Sequence, residues 1–257
     1  MGQDYFTASK HNYNLNFLKL VAQSASSFPS ENLRDWVYLS AESGLVTFQA
    51  TDGILSSQVT FRCYTPDFKL ALRKNTVEAA EAITINVNET TSVLLDGSKV
   101  ETDVKFLDHS FVPSTMFNLN GYTLQYKPAA VEKILKLLKK HAKGKNKYLK
   151  INRLFVEVLK ISESGIEECG TQFTLPTPIN ESNVDDATVV VNAGYLINIF
   201  EQLYNQVHYA TSLKISLNES QNISKPCVFT IEHPLCTFSL SIFSQRNIVR
   251  EKIPCTF

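Results

Sequence analysis

Apolar and polar positions along the chain follow two periods, one typical of helices and one typical of strands. A helical stripe of Leu15, Leu18, Ala22 and Ala25 predicts a helix over about 12–27, preceded by a short strand at 5–9. Alternating or β-branched runs predict three further strands at 36–41, 45–50 and 57–63. Because the turn signals Ser43-Gly44 and Asp52-Gly53 separate these runs, the pattern predicts a β-α-β-β-β unit.

Similar units recur along the rest of the chain. Pro66 suits a first helical position and predicts a helix over about 67–82, with Lys69, Arg73 and Lys74 in its early turns. Strands are expected after it at 83–88, 92–95 and 99–106, with Asp96-Gly97 as a hairpin turn. A third unit is predicted from a strand at 122–126, a helix from about 131, and strands at 148–152, 154–162 and 170–175. A fourth has a strand at 188–191, a helix over 193–206, and strands at 212–217, 227–232 and 237–243.

Four copies of one unit indicate internal duplication, and two copies make one domain of ordinary size. The segment 109–119 lacks a clear period and contains Pro113, so we interpret it as a connector. The sequence thus predicts an α+β protein with an N-terminal domain over 1–108 and a C-terminal domain over 120–257.

The third predicted helix gathers positive charge, with eight lysines between 131 and 150 in a chain whose formal net charge is zero. One helical face is apolar and carries Val131, Ile134, Leu135, Leu138 and Ala142. The opposite face carries Lys133, Lys136, Lys139, Lys140 and Lys143, interrupted only by Glu132. Such a face is either a solvated surface of good helix formers or a surface for phosphates.

Composition favours a globular protein, with 44% hydrophobic and 19% charged residues. Without a signal-like or membrane-spanning apolar run, we expect a soluble, intracellular protein. Five cysteines without a CxxC pair indicate neither a zinc site nor a disulfide framework. No phosphate-binding loop, HExxH or GxSxG motif appears and the five histidines are scattered, so we expect no enzyme, metal or cofactor.

Several short motifs resemble the DNA sliding clamps, a family that includes the bacterial polymerase beta clamp and the proliferating cell nuclear antigen. These motifs are VTFQATDG at 46–53, LDGSK at 95–99, SFVP at 110–113 and KPCV at 225–228. The resemblance implies the DNA clamp fold, with two similar domains each built from two β-α-β-β-β units. Helices would line a ring and sheets would lie outside. Two domains per chain correspond to the nuclear antigen and phage clamps, and six domains would require a homotrimer.

The resemblance further implies a processivity factor that encircles duplex DNA and tethers a DNA polymerase, after a clamp loader ATPase opens the ring. We expect it in the cytoplasm, without a membrane partner, and in the host cytoplasm if a phage encodes it. Lysines on the lining helices would attract phosphates without reading bases. The expected DNA-contacting residues are Lys133, Lys136, Lys139, Lys140 and Lys143, with Lys69, Arg73, Lys74 and Lys19 as further candidates.

The family also has a pocket for a short peptide of its partner proteins. Carried onto this chain, the pocket would use Thr51, Asp52, Gly53, Ile54, Leu55, Phe117, Leu119, Pro226 and Phe243. An alternative is structural, because Thr-Asp-Gly is common in hairpins and Ile54 and Leu55 could fill a core. Two other functions also remain open. One is a nucleic-acid-binding polymerase accessory protein that has the fold but forms no ring, and the other is a lipid- or sugar-binding module with a basic helix.

Overall fold

The structure is a computed structural model of the 257-residue chain. It describes residues 5–24, 35–87, 91–100, 104–106, 117, 121–142, 147–152, 155–162, 165–182, 188–217 and 226–243. The described helices and strands divide between two compact units. The first unit comprises Met1–Thr115 together with Leu235–Ser239, and the second comprises Met116–Pro234 together with Leu240–Phe257.

The first unit contains two helices and nine strands in its continuous part, counted over the described residues. In chain order they are β1 Tyr5–Ser9, α1 Tyr13–Ser24, β2 Trp36–Glu42, β3 Leu45–Thr51, β4 Leu55–Arg62, β5 Phe68–Arg73, α2 Lys74–Ala79, β6 Ala82–Val87, β7 Thr91–Leu95, β8 Ser98–Val100 and β9 Val104–Phe106.

The remaining elements follow from residue 122 onward and include the lysine-rich helix. They are β10 Tyr122–Tyr126, α3 Ala130–His141, β11 Lys147–Ile151, β12 Phe155–Ser162, β13 Gly165–Thr174, β14 Asn180–Glu181, β15 Val189–Asn192, α4 Ala193–Gln206, a 3-10 turn Val207–Tyr209, β16 Ser212–Leu217, β17 Cys227–Glu232 and β18 Cys236–Ile242.

Each half of the chain, up to β9 or from β10 onward, contains two β-α-β-β-β repeats. The first strand of each repeat pairs with a strand of the other repeat in the same half. In the first half, β1 lies beside β6 in the order β1-β6-β7-β8, while β5 lies beside β2 in the order β4-β3-β2-β5-β9. In the second half, β15 joins the order β13-β12-β11-β15 and β10 joins β14-β10-β16-β17-β18. The register confirms antiparallel pairing, for example Phe6 opposite Ile85 and Leu124 opposite Ile215. Each β-α-β-β-β repeat therefore needs the first strand of the other repeat to complete its sheet.

The predicted helix over 67–82 is wrong for its first half. Residues Phe68–Arg73 form strand β5, and only Lys74–Ala79 form the helix α2. In β5, Phe68, Leu70 and Leu72 are buried, a strand period that the helix-forming residues Lys, Leu and Ala concealed. Pairing with β2 on one side and β9 on the other fixes the strand conformation. Strand β5 is the first strand of the second β-α-β-β-β repeat, for which the sequence pattern predicted no strand before the helix.

Three predicted turns are confirmed. Ser43-Gly44 and Asp96-Gly97 have positive φ at both central residues, with φ of 51° and 77° in the first pair and 49° and 85° in the second. This is the type I′ geometry that suits the twist of hairpin strands. At the third turn Gly53 has φ of 87°, and a Cβ there would meet nothing within 4 Å. Its need for glycine is therefore conformational and not steric.

The helices of the second half cover an apolar core between its strands. Ile134 and Leu138 of α3, and Leu196 and Phe200 of α4, border the same small apolar space as Leu124, Ile151, Val156, Ile215 and Phe229. The Phe200 and Phe229 rings lie 5.7 Å apart edge to face. Burial of these side chains holds both helices on the sheets, because their short length gives little helical stability by itself.

Candidate nucleic-acid interface

Helix α3 forms where the sequence predicts it and begins after the turn at Lys127 and Pro128, whose carbonyls accept the Ala130 and Val131 amides. Glu132 lies in its first turn, and Lys139, Lys140 and His141 lie in its last turn. This order of charges complements the helix dipole. The predicted apolar stripe is confirmed, since the buried residues of the helix are Ala130, Val131, Ile134, Leu135 and Leu138.

The opposite face of α3 presents lysines to solvent. Lys133, Lys136, Lys139 and Lys140 are all exposed, whereas Lys143 lies outside the described residues. At 100° per residue, Lys133 and Lys140 lie about 20° apart near the middle of the exposed face, whereas Lys136, Lys139 and Glu132 lie towards the side on which Lys139 meets α4. The face is therefore basic along the described part of the helix, but acidic residues lie only on the side that adjoins α4.

Two of these lysines are already paired with carboxylates. Lys136 Nζ lies 2.6 Å from Glu132 Oε1 one turn earlier, and Lys139 Nζ lies 2.7 Å from Glu201 Oε1 of α4. The hydrogen bond between Lys136 and Glu132 raises the pKa of the lysine and lowers the pKa of the carboxyl group. Among the described residues, neither Lys133 nor Lys140 has a carboxylate within 4.0 Å.

Helix α4 packs beside α3 and contributes a neutral surface with one acid. Its start is capped by Asn192, whose side chain accepts the Gly194 amide at 2.8 Å. Gln202 donates to Asn198 at 3.0 Å, and Tyr204 is 37% exposed and close enough to Lys136 to affect its pKa. Helix α4 thus presents amide side chains and no lysine or arginine beside α3. Glu201 was not singled out by sequence reasoning, because its partner lies on another helix.

The first half offers a weaker basic surface. Helix α1 buries Leu15, Leu18, Val21 and Ala22, and Lys19 is its only lysine, half exposed. The other predicted cations of this half, Lys69 and Arg73, lie on strand β5 and not on a helix. Lys74 is the first residue of the six-residue helix α2 and pairs with Glu78 at 3.8 Å.

Lys69 and Arg73 project from the side of the sheet that faces away from α1. Phe68 and Phe61 lie in one cross-strand row with Ala41 and Val46, and Phe61 contacts Phe17 of α1 at 5.5 Å between ring centroids. Because side chains alternate along a strand, Lys69 and Arg73 point to the opposite side. The expectation that Lys69 and Arg73 lie in the early turns of a helix is therefore wrong.

Both cations have local partners on that side of the sheet. Lys69 is paired with Glu42, a hydrogen bond that raises the pKa of Lys69. Arg73 lies 3.7 Å from Asp35 Oδ2 and its guanidinium carbon lies 4.9 Å from the centre of the Trp36 ring. Lys105 of β9 also contacts that ring, at 4.2 Å from Nζ. These contacts give the cations a structural role in joining β2, β5 and β9.

The turn from Thr51 to Leu55 is closed by its own hydrogen bonds. Asp52 Oδ1 accepts the Ile54 and Leu55 amides at 2.9 and 2.7 Å, and Thr51 Oγ1 accepts the Gly53 amide at 3.0 Å. Asp52 is 2% exposed and Leu55 is fully buried, whereas Ile54 is half buried. The motif therefore has the structural role that the alternative interpretation gave it, and Ile54 is its most accessible apolar side chain.

The other residues of the expected peptide pocket belong to the second half. Phe117 and Pro226 are buried and Phe243 is half buried, while Leu119 lies outside the described residues. Among the described residues there is no group of three or more His, Cys, Asp or Glu side chains that could hold a metal ion. None of the helices in the described ranges combines the length and apolar character that crossing a bilayer requires.

Comparison with known proteins finds similarity in structure alone. No family model matches the sequence, and no curated protein has a significantly similar sequence. A putative DNA polymerase III beta subunit from Eubacterium rectale is similar over 95% of this chain, with a TM-score of 0.65 and 12% identity. The DNA polymerase III beta subunit from Pseudomonas aeruginosa and the DNA polymerase sliding clamp from Bacillus subtilis have TM-scores of 0.60 and 0.58, at 11% and 12% identity over 95% and 90% of this chain.

These similarities establish the fold. The chain spans about two thirds of the length of these structures, covering 66%, 67% and 62% of them respectively. The resemblance that the sequence motifs suggested is thus confirmed at the level of the fold. The chain has the α+β fold of the DNA sliding clamps.

Proposed function

We propose that this chain, which has the fold of the sliding clamps, is itself a DNA sliding clamp that encircles duplex DNA and tethers a DNA polymerase to its template. The observation that carries the proposal is the lysine face of α3, opposite a fully buried apolar stripe on the same helix. Backbone phosphates attract such a face without any base contact, so the attraction permits sliding. The chain would act without chemistry of its own.

In this proposal Lys133, Lys136, Lys139, Lys140 and Lys143 face the duplex, and Lys19 supplies a single cation from the first half. Lys69 and Arg73 are not included because they lie on the side of the sheet opposite α1. Lys74 is not included because its side chain is only 17% exposed and lies beside Glu78. Six domains would close the ring from three copies of this chain, with a loader ATPase to open it, in the cytoplasm of the cell that uses it.

A peptide of the polymerase would contact Ile54 of the first unit. Phe117, Leu119, Pro226 and Phe243, which the resemblance also assigns to peptide binding, belong to the second unit. The self-closed turn at Asp52 supports this role, since it holds the half-buried Ile54 in one place. The alternative function is a polymerase accessory protein that binds nucleic acid through the same lysines without forming a ring.

An order-of-addition experiment separates the two functions. A linear duplex with biotin at both ends is mixed with the protein, and streptavidin is added either before or after the protein. A ring threads over open ends and is trapped when they are blocked afterwards, so we expect retention through a high-salt wash only in the second order. Equal retention in both orders would contradict encirclement and favour the accessory protein.

Duplex binding itself is tested with two matched variants. K133Q/K140Q removes two charges from the α3 face, and we expect binding to fall by roughly tenfold at low salt. K69Q/K214Q removes two charges from sheet surfaces turned away from the helices, since Lys214 alternates with the buried Ile215, and should change binding little. Fluorescence anisotropy of a labelled duplex measures both. Equal losses in the two variants would assign the effect to net charge alone.

A further inference from the structure

The lysine face of α3 carries its own anions, which the proposed function leaves unexplained. Glu132 and Glu201 lie at 2.6 and 2.7 Å from Lys136 and Lys139, on the flank of α3 that adjoins α4. Lys133 and Lys140 lie near the middle of the exposed face, with no carboxylate in reach among the described residues. Two of the four exposed lysines in the described part of the face are thus paired with carboxylates, and the two near its middle, Lys133 and Lys140, are not.

We propose that Glu132 and Glu201 are internal counter-ions that compete with DNA phosphates for Lys136 and Lys139. The duplex is then held by Lys133 and Lys140, and the two carboxylates weaken that hold. This inference rests on the proposed function, because it concerns the same helical face. It assigns a role to two acidic residues that neither the lysine pattern nor the fold indicates.

The geometry supports competition and not permanent neutralisation. All four side chains are well exposed, at 75% and 50% for Lys136 and Glu132 and at 51% and 46% for Lys139 and Glu201. Exposed ion pairs contribute little to stability and are easily broken. A phosphate that takes either lysine must displace its carboxylate, which then stands close to the DNA and repels it. A phosphate at Lys133 or Lys140 meets no such competitor among the described residues.

The carboxylates also change the salt dependence of binding. A lysine that moves from a carboxylate to a phosphate leaves an anion uncompensated and so gains less from counterion release than a free lysine. The slope of log K against log salt should therefore be shallower for the wild-type chain than for a chain in which all four exposed lysines of α3 were free. Freeing Lys136 and Lys139 should steepen the slope by up to about 0.9 for each.

The test measures binding of the full chain to a labelled duplex oligonucleotide across a salt series. E132Q and E201Q should each tighten binding by about two- to fivefold at low salt, and the double variant should combine the gains with a steeper slope. E42Q is the matched control, because it frees Lys69 from an exposed ion pair on the sheet side turned away from α1. It should leave binding within about 1.5-fold of wild type.

The outcomes distinguish this inference from the proposed function. If wild-type chain binds the duplex and K133Q/K140Q weakens it, but E132Q and E201Q bind no tighter than wild type, the counter-ion role is wrong and the DNA face stands. Equal tightening by E42Q would also overturn the role, because net charge would then explain the gain. If neither the wild-type chain nor E132Q/E201Q binds a duplex, both ideas fail together.

Discussion

Two aspartates in turn motifs, Asp52 and Asp96, use their carboxylates to accept backbone amides. Asp52 stands in the most clamp-like stretch of the sequence, yet one of its carboxylate oxygens is occupied by two backbone amides of its own turn. Asp96 also accepts two backbone amides, but these are the Glu81 and Ala82 amides at the start of the neighbouring strand β6, at 2.9 and 2.7 Å. Asp52 thus fixes its own turn, and Asp96 ties its turn to the adjacent strand, in both cases without any ligand.

Replacing Asp52 tests this structural role. D52A removes the acceptor and leaves the amide of buried Leu55 without its partner, so we expect a loss of about 1–3 kcal/mol in the free energy of unfolding. D52N keeps one acceptor oxygen and should retain more stability than D52A. Urea unfolding followed by circular dichroism measures both. An unfolding midpoint unchanged in D52A would show that the turn forms without its aspartate.

Helix α3 could be predicted from its local sequence pattern, whereas strands β5 and β14 could not. Helix α3 was predictable because its apolar stripe, its lysines and its charge order all indicate one helix with one buried face. Strand β5 was not, because Phe68–Arg73 contains residues common in helices and its period becomes decisive only beside β2 and β9. The two-residue strand β14, Asn180–Glu181, was likewise missed, since so short a run has no period of its own.

The buried stripe of α3 is tested by two adjacent leucines. Leu138 is fully buried beside Leu196 and Phe200, whereas Leu137 is half exposed on the lysine side. We expect L138A to lower the free energy of unfolding by about 2–5 kcal/mol, through lost burial and a cavity. L137A should cost less than about 1 kcal/mol. Denaturant unfolding of the pair measures the difference, and equal costs would place the helix in a different rotation.

The same exchange of strands between β-α-β-β-β repeats occurs in both halves of the chain. Each half exchanges the opening strands of its two units, so β1 completes the sheet of β6 and β5 completes the sheet of β2, and β10 and β15 do the same in the second half. The fold is that of clamps that are longer than this chain by about half, since the chain covers 66% of the Eubacterium rectale structure.

The proposed ring makes a direct prediction about mass. Light scattering of the purified chain should give three times 28.9 kDa at concentrations well above the dissociation constant of the ring. K133Q/K140Q should give the same mass, because these lysines lie on the exposed face of α3 and not at a strand edge. A stable monomer over a wide concentration range would contradict the trimer and favour the accessory protein.

The sequence by itself determined the elements whose signals are local. The strand and helix periods, the type I′ turns at Ser43-Gly44 and Asp96-Gly97, and the amphipathic lysine helix each depend on neighbours within a few residues. The motifs around Asp52 indicated the fold, and the hydrogen bonds that Asp52 accepts from its own turn became visible only in the structure.

Only the tertiary structure decided which strands pair, on which side of the sheet Lys69 and Arg73 lie, and that Glu201 neutralises Lys139. The pairing of β5 with β2 joins residues about thirty positions apart, and the ion pair joins two helices. Non-local hydrogen bonds and burial override local preference, because a strand gains its stability from its neighbours in the sheet. Sequence patterns are judged over a dozen or so neighbouring residues, so they do not include both partners of such a contact.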